Sequence, residues 1–254
     1  MSPYAIREAF QLQFLKALAQ ALNGRPYAVK GGCCLRFFFG SPRLSEDMDF
    51  DIQQVSASAL QKHVEKIVNQ RAFLAHLAHA GVTSIRLQDR EAAKQTATTQ
   101  RWKLALHTQQ GEIIHSKIEF SRRSKTPIRY KSGTPSTTIL HRYQATAFVS
   151  QYYDAEAMLT GKLAALASDS RFALRDLFDL NILIPLMPTP HHSLDKTLLS
   201  RSTQKIQGFG YPMFAEQVLP FLEGGLQQLY QHKKAFEELK ASILNWLANQ
   251  AQSS

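Results

Sequence analysis

The most constraining feature of this sequence is a pair of glycines followed closely by carboxylates at alternate positions. Gly31 and Gly32 come directly after a short apolar stretch that is typical of a buried strand. Asp47, Asp49 and Asp51 alternate with apolar residues, and alternate side chains of a strand project from the same face. Because like charges so close together repel one another, a cation is the usual means of stabilising them. The pattern predicts a glycine turn beside paired carboxylates, which can hold Mg²⁺ and a nucleoside triphosphate (NTP) together.

The composition narrows both the class of protein and the kind of partner. With 254 residues, of which 44% are hydrophobic, the chain can form a packed core in one large domain or two modest ones. The formal net charge is +10, which favours a polyanionic partner. There is no run of about 18 apolar residues, so we expect no membrane-spanning segment. Cys33 and Cys34 are adjacent and cannot link distant segments, which fits a reduced, cytoplasmic setting.

Strand and helix signals alternate in the first half of the chain, whereas helical periodicity dominates the second half. The sequence predicts strands at residues 27–29, 47–53, 82–88, 101–108 and 112–120. Helices are expected at 4–22, 33–39, 56–81, 154–168, 171–185, 194–206 and 219–250. This order predicts an α+β fold, a small mixed β-sheet with flanking helices, followed by a helical C-terminal lobe. We expect two domains: 1–150, which carries the glycines and carboxylates, and 151–254, a helical domain that completes the nucleotide cleft.

The alternating carboxylates suit the transfer of a nucleotide from an NTP. This reaction is an in-line displacement at the α-phosphorus, which two metal ions can assist at the attacking and the leaving oxygen. Mg²⁺ prefers oxygen ligands, and Asp47 and Asp49 would supply two carboxylates. Glu119 is the best candidate for a third ligand, because polar and apolar residues alternate over 117–120. Asp51 would replace Asp49 as a ligand if the strand register differed.

The glycine pair and a nearby serine are candidates for contacts with the triphosphate. Gly31 and Gly32 let the backbone approach the phosphates closely, and their N–H groups can donate to phosphate oxygens. If the following segment is a helix, the field at its N-terminus also favours an anion. Ser45 either bonds a phosphate oxygen or caps the entry to the strand.

A second group of charged residues lies in the helical half. Lys162 occurs in an otherwise apolar helical segment, where its long side chain either extends to water or reaches triphosphate oxygens. Arg175, Asp176 and Asp179 follow on the next helix, at spacings that place pairs of them on one face. These residues either form a salt-bridge cluster that fixes the packing of two helices or belong to the nucleotide site.

A basic segment begins directly after Glu119. No acidic residue occurs between Glu119 and Asp154, whereas several cations and aromatic residues do. Lys and Arg neutralise backbone phosphates and aromatic rings stack on exposed bases, so the segment is either an RNA-binding surface or an ordinary solvated loop. We predict an RNA acceptor, with tRNA favoured, contacted by Arg122, Arg123, Lys125 and Arg129 together with Tyr130 and Tyr143.

These motifs resemble those of the nucleotidyltransferase toxins of the AbiEii/AbiGii type, within the DNA polymerase β-like nucleotidyltransferase superfamily. The resemblance covers roughly residues 25–182, and the motifs stand in the family's order. It rests on Gly31-Gly32, on the segment 43–50 with its Ser45, Asp47 and Asp49, on Lys162, and on Arg171 followed by the segment 175–180.

The resemblance implies a polymerase β-like fold, NTP as substrate and Mg²⁺ as cofactor. By that likeness, Ser45 and Asp47 contact nucleotide and metal, Asp49 is the second metal ligand, Lys162 binds phosphate, and Asp176 or Asp179 completes the site. It also implies a toxin of a bacterial toxin–antitoxin or phage-defence pair, with a cognate antitoxin, and for some relatives the tRNA acceptor end as target. Glu119 departs from the family, in which an aspartate is more usual at this position.

Two other classes of function stay open at the level of sequence. A transferase acting on a small molecule, such as an antibiotic hydroxyl, or on a protein side chain would use the same carboxylates. A cationic antibiotic would need an acidic pocket, which the basic segment disfavours. The other alternative is a non-catalytic module that binds nucleic acid or an antitoxin, which the retention of every expected polar residue disfavours.

Overall fold

The chain folds into two compact units. The computed structural model describes residues 1–88, 96, 98–124, 127–168, 174–187 and 194–253. The first unit comprises Met1–Gly40 and Leu44–Tyr153, and the second comprises Ser41–Arg43 and Asp154–Ser254. The first unit contains the sheet and the second is helical, which confirms the mixed sheet with flanking helices and the helical lobe.

The described residues of the first unit form one seven-stranded mixed sheet. Its spatial order is β3-β4-β5-β2-β1-β7-β6, so that β2 lies between β1, which is antiparallel to it, and β5, which is parallel to it. The two shortest strands were not predicted, because three residues are too few to show an alternating pattern. The strands are β1 (Tyr27–Lys30), β2 (Asp47–Ile52), β3 (Val82–Leu87), β4 (Thr99–Thr108), β5 (Ile113–Ser121), β6 (Lys131–Gly133) and β7 (Ser150–Tyr152).

One face of the central strands forms the core of the first unit. Phe50 of β2 stacks on Phe120 of β5 with ring centroids 4.7 Å apart. Phe14 of helix α1 (Pro3–Ala21) contacts the same ring of Phe50. Because β2 alternates strictly between buried and half-buried residues, burial of its apolar side chains turns its three aspartates to the opposite face.

The predicted long helix over 56–81 is wrong, because the chain bends at Gln70. The spacing of buried residues changes from four between Val64 and Val68 to five between Val68 and Phe73. An unbroken helix would rotate Phe73 away from the core, so a new helix starts after an extended residue. The further helices of this unit are α2 (Gly31–Phe38), α3 (Ala57–Asn69), α4 (Arg71–Ala78) and α5 (Thr137–Arg142).

The second unit packs helices around a cluster of aromatic rings. Phe214 lies with its ring centroid 5.0 Å from Phe236 and 5.5 Å from Tyr230. The predicted single helix over 219–250 is wrong, because Pro220 and the pair Gly224-Gly225 interrupt it. The helices are α6 (Ala155–Ala167), α7 (Leu174–Leu183), α8 (Lys196–Gln207), α9 (Tyr211–Gln217), α10 (Gly224–Tyr230) and α11 (Lys233–Ser253). Within the described ranges, none of the helices combines the length and hydropathy needed to cross a bilayer.

Candidate active site

The structure brings the predicted carboxylates of β2 and β5 together on one face of the sheet. Asp47 and Asp49 are both half-buried, on the side opposite the apolar core. In the parallel pairing of β2 with β5, Asp49 lies directly opposite Glu119. Lys30, on the other neighbouring strand, is also opposite Asp49. Side chains at paired positions project from the same face, so the three carboxylates are neighbours.

Three of the carboxylates on this face are each held by a cation. Lys117 Nζ lies 2.5 Å from Asp47 Oδ2. Arg101 Nε donates to Glu119 Oε2 over 2.7 Å. Asp51 accepts from Lys30 Nζ at 2.6 Å and from the Tyr153 hydroxyl at 2.7 Å. Asp51 is thus enclosed by its own partners, which favours Asp49 over Asp51 as the second ligand.

Asp49 differs from the other carboxylates of this face. Its side chain makes no ion pair or hydrogen bond within the part of the chain that the structure describes. Burial and the nearby Asp47 carboxylate raise the pKa of Asp49 above its ordinary value, and the cations Lys117 and Lys30 only partly oppose this. An unpaired, poorly hydrated carboxylate of this kind gains most from a cation placed beside it.

The glycine pair forms the start of helix α2, against Asp49. Gly31 has φ +68°, a left-handed conformation that side chains other than glycine rarely adopt. A Cβ atom at Gly31 would lie 3.0 Å from Asp49 Oδ2, so glycine also permits this close approach. Lys30, at the N-cap position, makes no capping hydrogen bond through its side chain, and the first amides of a helix can bind an anion.

A substitution at Gly31 separates backbone strain from the contact with Asp49. We expect Gly31→Ala and Gly40→Ala each to lower the free energy of unfolding by about 1 kcal/mol, since both glycines have φ +68°. Nothing lies within 4 Å of a Cβ at Gly40, so only Gly31→Ala should displace Asp49 and reduce nucleotide transfer. Thermal unfolding and initial rates measure the two effects, and equal loss of activity in both variants would refute the role given to Gly31.

Ser45 contacts the backbone at the start of β2. Its hydroxyl donates to the Asp47 carbonyl oxygen over 3.0 Å. The Cys33 thiol donates to the same oxygen at 3.1 Å, which ties helix α2 to β2. This geometry favours the capping interpretation of Ser45, and its contact with nucleotide stays a prediction.

The charged residues predicted in the helical half form a buried cluster in the second unit. Lys162 Nζ lies 2.7 Å from Asp176 Oδ1 and 2.5 Å from Asp179 Oδ2. Arg43 donates to both carboxylate oxygens of Asp179, each over 2.8 Å. Two cations and two carboxylates thus neutralise one another, as the salt-bridge interpretation expects, and phosphate binding by Lys162 stays a prediction. Arg175 lies outside this cluster and contacts the Phe221 ring, 4.1 Å from its centroid.

The family comparison agrees with this geometry. The family described as "Nucleotidyl transferase AbiEii toxin, Type IV TA system" matches residues 13–244. The chain belongs to the AbiEii family. The predicted resemblance is confirmed, and the chain is a nucleotidyltransferase of a toxin family whose type IV systems pair a toxin with an antitoxin.

Solved structures show the same fold as this AbiEii-family enzyme. JHP933 from Helicobacter pylori is 20% identical with a TM-score of 0.56, over 100% of this chain and 97% of its own. MenT4, a nucleotidyltransferase toxin from Mycobacterium tuberculosis, is 21% identical with a TM-score of 0.56, over 81% of this chain and 65% of its own. No curated protein sequence matches the chain.

The basic segment of this AbiEii-family enzyme is only partly available to RNA. Arg123 and Arg129 are exposed, whereas Arg122 is half-buried and donates to the Val55 carbonyl over 3.3 Å. Lys125 lies outside the described residues. The Tyr143 hydroxyl donates to the buried Glu8 carboxylate over 2.6 Å, so Tyr143 supports the fold rather than a base. Tyr130 is exposed, and RNA contact by this segment stays a prediction.

Three cations of the candidate site were not predicted. Lys117 stands two residues before Glu119 and therefore shares its face of the strand. Lys30 precedes the glycines directly, and the pairing of β1 with β2 places it opposite Asp49. Arg101 lies opposite Glu119 in the hairpin of β4 and β5. The turn at 109–111 sets this register, so the position of Arg101 could have been read from the sequence.

The carboxylate oxygens on this face are ligands of the kind that a divalent cation such as Mg²⁺ binds. Mg²⁺ binds carboxylate oxygens, and Asp47, Asp49 and Glu119 are neighbours here. Among the described residues no three His, Cys, Asp or Glu side chains are already drawn together as a ligand set. Lys117 and Arg101 hold two of the carboxylates, so metal binding would exchange these counter-charges for Mg²⁺.

Proposed function

We propose that this enzyme transfers a nucleoside monophosphate from an NTP to the 3′ end of an RNA, with tRNA as the favoured acceptor and Mg²⁺ as cofactor. The observation that carries the proposal is the placement of Asp49 between Gly31 and Glu119. Asp49 Oδ2 lies where a Cβ at Gly31 would contact it, and Glu119 is its partner on β5. The glycine turn and a pair of carboxylates thus lie next to one another, as the proposed reaction requires.

The glycines and the carboxylates of this face have different roles in the proposed reaction. Gly31 and Gly32 bind the triphosphate through the backbone at the start of α2, and Asp47, Asp49 and Glu119 hold Mg²⁺. When bound, Mg²⁺ supplies positive charge that favours ionisation of the acceptor hydroxyl and offsets the charge of the leaving pyrophosphate. Glu119 takes the proton from the hydroxyl once Arg101 releases it. The hydroxyl oxygen forms the new bond to the α-phosphorus as the bond to pyrophosphate breaks.

The proposal of an RNA acceptor is supported by charge. The net charge of +10 and the absence of acidic residues between Glu119 and Asp154 favour a polyanion over a cationic small molecule. Arg123 and Arg129 are exposed cations in this stretch.

Reversing these two charges tests the acceptor. We expect Arg123→Glu with Arg129→Glu to raise the KM for RNA at least about tenfold, because two phosphate contacts become repulsive. The KM for NTP should stay within about twofold of the parent. Lys66→Glu with Lys234→Glu, two exposed lysines outside the basic segment, changes the net charge by the same amount and is the control. An unaltered KM for RNA in the double variant would remove the basic segment from the account.

Labelling of total RNA tests the function itself. The parent is incubated with Mg²⁺, total RNA and each of the α-phosphate-labelled NTPs in turn, beside Asp47→Ala. Label on a tRNA-sized band in the parent alone supports the proposal. Label on protein or on a small molecule would support the alternative transferases, and no label with any NTP would support a non-catalytic module.

The proposed toxicity follows from the family and needs a separate test. We infer that expression of the parent slows growth, that a cognate antitoxin restores it, and that the pair acts in phage defence. Expression of Asp47→Ala should leave growth unaffected if nucleotide transfer causes the defect. Equal growth inhibition by both forms would show that toxicity has another origin.

A further inference from the structure

A charged pocket opens beside Asp47 in the first unit. It has a volume of about 440 Å³, and helix α1 and strands β2, β4 and β5 contribute to its walls. The charged side chains that line it include Arg7, Glu46, Asp47, Lys103 and Lys117. None of the roles proposed above uses Arg7 or Lys103.

The pocket continues the face of the candidate active site away from the glycine turn. Asp47 of β2 pairs with Lys117 of β5, and Lys117 pairs with Lys103 of β4. Paired side chains share a face, so these residues form a row beside the row of Asp49 and Glu119. β1, which leads into the glycines, lies on the other side of β2.

Two of the cations in the pocket have unused donors. The side chain of Lys103 is exposed, and its ammonium group makes no ion pair or hydrogen bond with the described part of the chain. Arg7 Nε donates to the His115 carbonyl over 2.8 Å, whereas its Nη1 is buried without a partner among the described residues. Buried donors of this kind are stabilised by an acceptor, and an anionic oxygen is the best one.

Metal binding would release a third cation into the same pocket. Lys117 is now held by Asp47, 2.5 Å away. If Asp47 becomes a metal ligand, as the proposed function requires, Lys117 loses its counter-charge. The pocket then presents three cations next to the reacting centre, with Glu46 as its remaining carboxylate.

We propose that this pocket binds the phosphodiester adjacent to the 3′ terminus of the acceptor RNA. The inference rests on the proposed function and specifies its acceptor side. In an in-line displacement the attacking hydroxyl approaches opposite to the leaving pyrophosphate. The glycines hold the triphosphate on the β1 side of Asp47, so the acceptor enters from the β5 and β4 side, where the pocket lies. Lys and Arg contacts to phosphate position the strand without reading its sequence.

Lys103→Glu tests this assignment, since Lys103 is exposed and its replacement should leave folding intact. We expect the KM for acceptor RNA to rise about tenfold, with kcat and the KM for NTP within about twofold of the parent. Lys103→Arg, which keeps the charge, should restore the KM of the parent. Lys66→Glu on α3 is the matched control, because it changes the net charge equally at an exposed lysine outside the pocket.

Binding of a fluorescent single-stranded RNA without NTP gives a readout that is independent of catalysis. Lys103→Glu should weaken binding and reduce the slope of log affinity against log salt by about 0.7, whereas Lys66→Glu should not. Equal RNA affinity and equal acceptor KM in the two variants would overturn the acceptor subsite, as would a rise in the KM for NTP alone. A parent that binds RNA but never labels it would instead overturn the proposed function.

Discussion

Replacing Asp49 by Asn is expected to reduce nucleotide transfer at least about 10³-fold while leaving the fold intact. The side chain keeps its shape but loses the charge that would hold a divalent cation. Asp51→Asn is the matched control, because Asp51 is on the same strand and face but is engaged by Lys30 and Tyr153. Initial rates at saturating NTP and RNA measure the effect. Similar rates for the two variants would exclude Asp49 from the reaction.

Although Asp49→Asn should abolish most activity, we expect it not to lower the stability of the fold. The pKa of Asp49 is raised in the folded state, so the protonated form stabilises the fold and ionisation opposes it. This contribution is full below the ordinary pKa of about 3.9 and is lost as the pH rises through the raised value. Without Mg²⁺, Asp49→Asn should therefore be at least as stable as the parent at neutral pH. Thermal unfolding from acid to neutral pH measures this, and a variant clearly less stable at neutral pH would contradict it.

Removing Asp179 should cause the largest loss of stability in the second unit. The Asp179 side chain is fully buried between Arg43 and Lys162. In Asp179→Ala, Arg43 loses the carboxylate that accepts two of its hydrogen bonds and Lys162 loses one of its two carboxylates. Removing one partner of a buried ion pair lowers the free energy of unfolding by about 3–5 kcal/mol. Glu238→Ala is the control, because Glu238 pairs with Lys234 on the exposed surface of α11. This substitution should change the free energy of unfolding by less than about 1 kcal/mol.

The pH dependence of this loss identifies its electrostatic origin. Burial by itself raises the pKa of Asp179, but Arg43 and Lys162 outweigh it and hold the pKa below its ordinary value. Asp179 therefore contributes stability above its ordinary pKa of about 3.9 and loses it as the pH falls through the lowered value. The difference between parent and Asp179→Ala should be constant at neutral pH and narrow only in strong acid. If parent and variant differed in stability by the same amount at every pH, the loss would come from a packing defect and not from lost ion pairs.

The shared face of Asp47 and Asp49 can be predicted from the sequence because both residues lie on the same strand. Alternation along β2 needs no information beyond the strand itself, so the shared face of Asp47 and Asp49 follows from it. The parallel pairing that sets Glu119 against Asp49 joins segments between which the described chain forms two helices and two strands, and no local pattern fixes that register.

Partners that are distant in sequence escape such reasoning. Asp179 and Arg43 lie 136 residues apart, so the spacing that predicted helix pairs between Arg175, Asp176 and Asp179 could not reveal the partner from the loop before β2. The pocket beside Asp47 combines α1 with residues of β2, β4 and β5, which are distant in sequence, so sequence patterns could not reveal it either. Long-range packing decides these contacts, whereas periodicity decides which face a residue occupies.

Binding of Mn²⁺ in the presence of an NTP analogue that cannot be cleaved tests the central role of Asp49 most directly. Loss of the electron paramagnetic resonance signal of free Mn²⁺ reports binding without any turnover. We predict that the parent and Asp51→Asn bind Mn²⁺ with similar affinity and that Asp49→Asn binds it at least about tenfold more weakly. Equal binding by Asp49→Asn and the parent would contradict the assignment of this carboxylate row as the metal site.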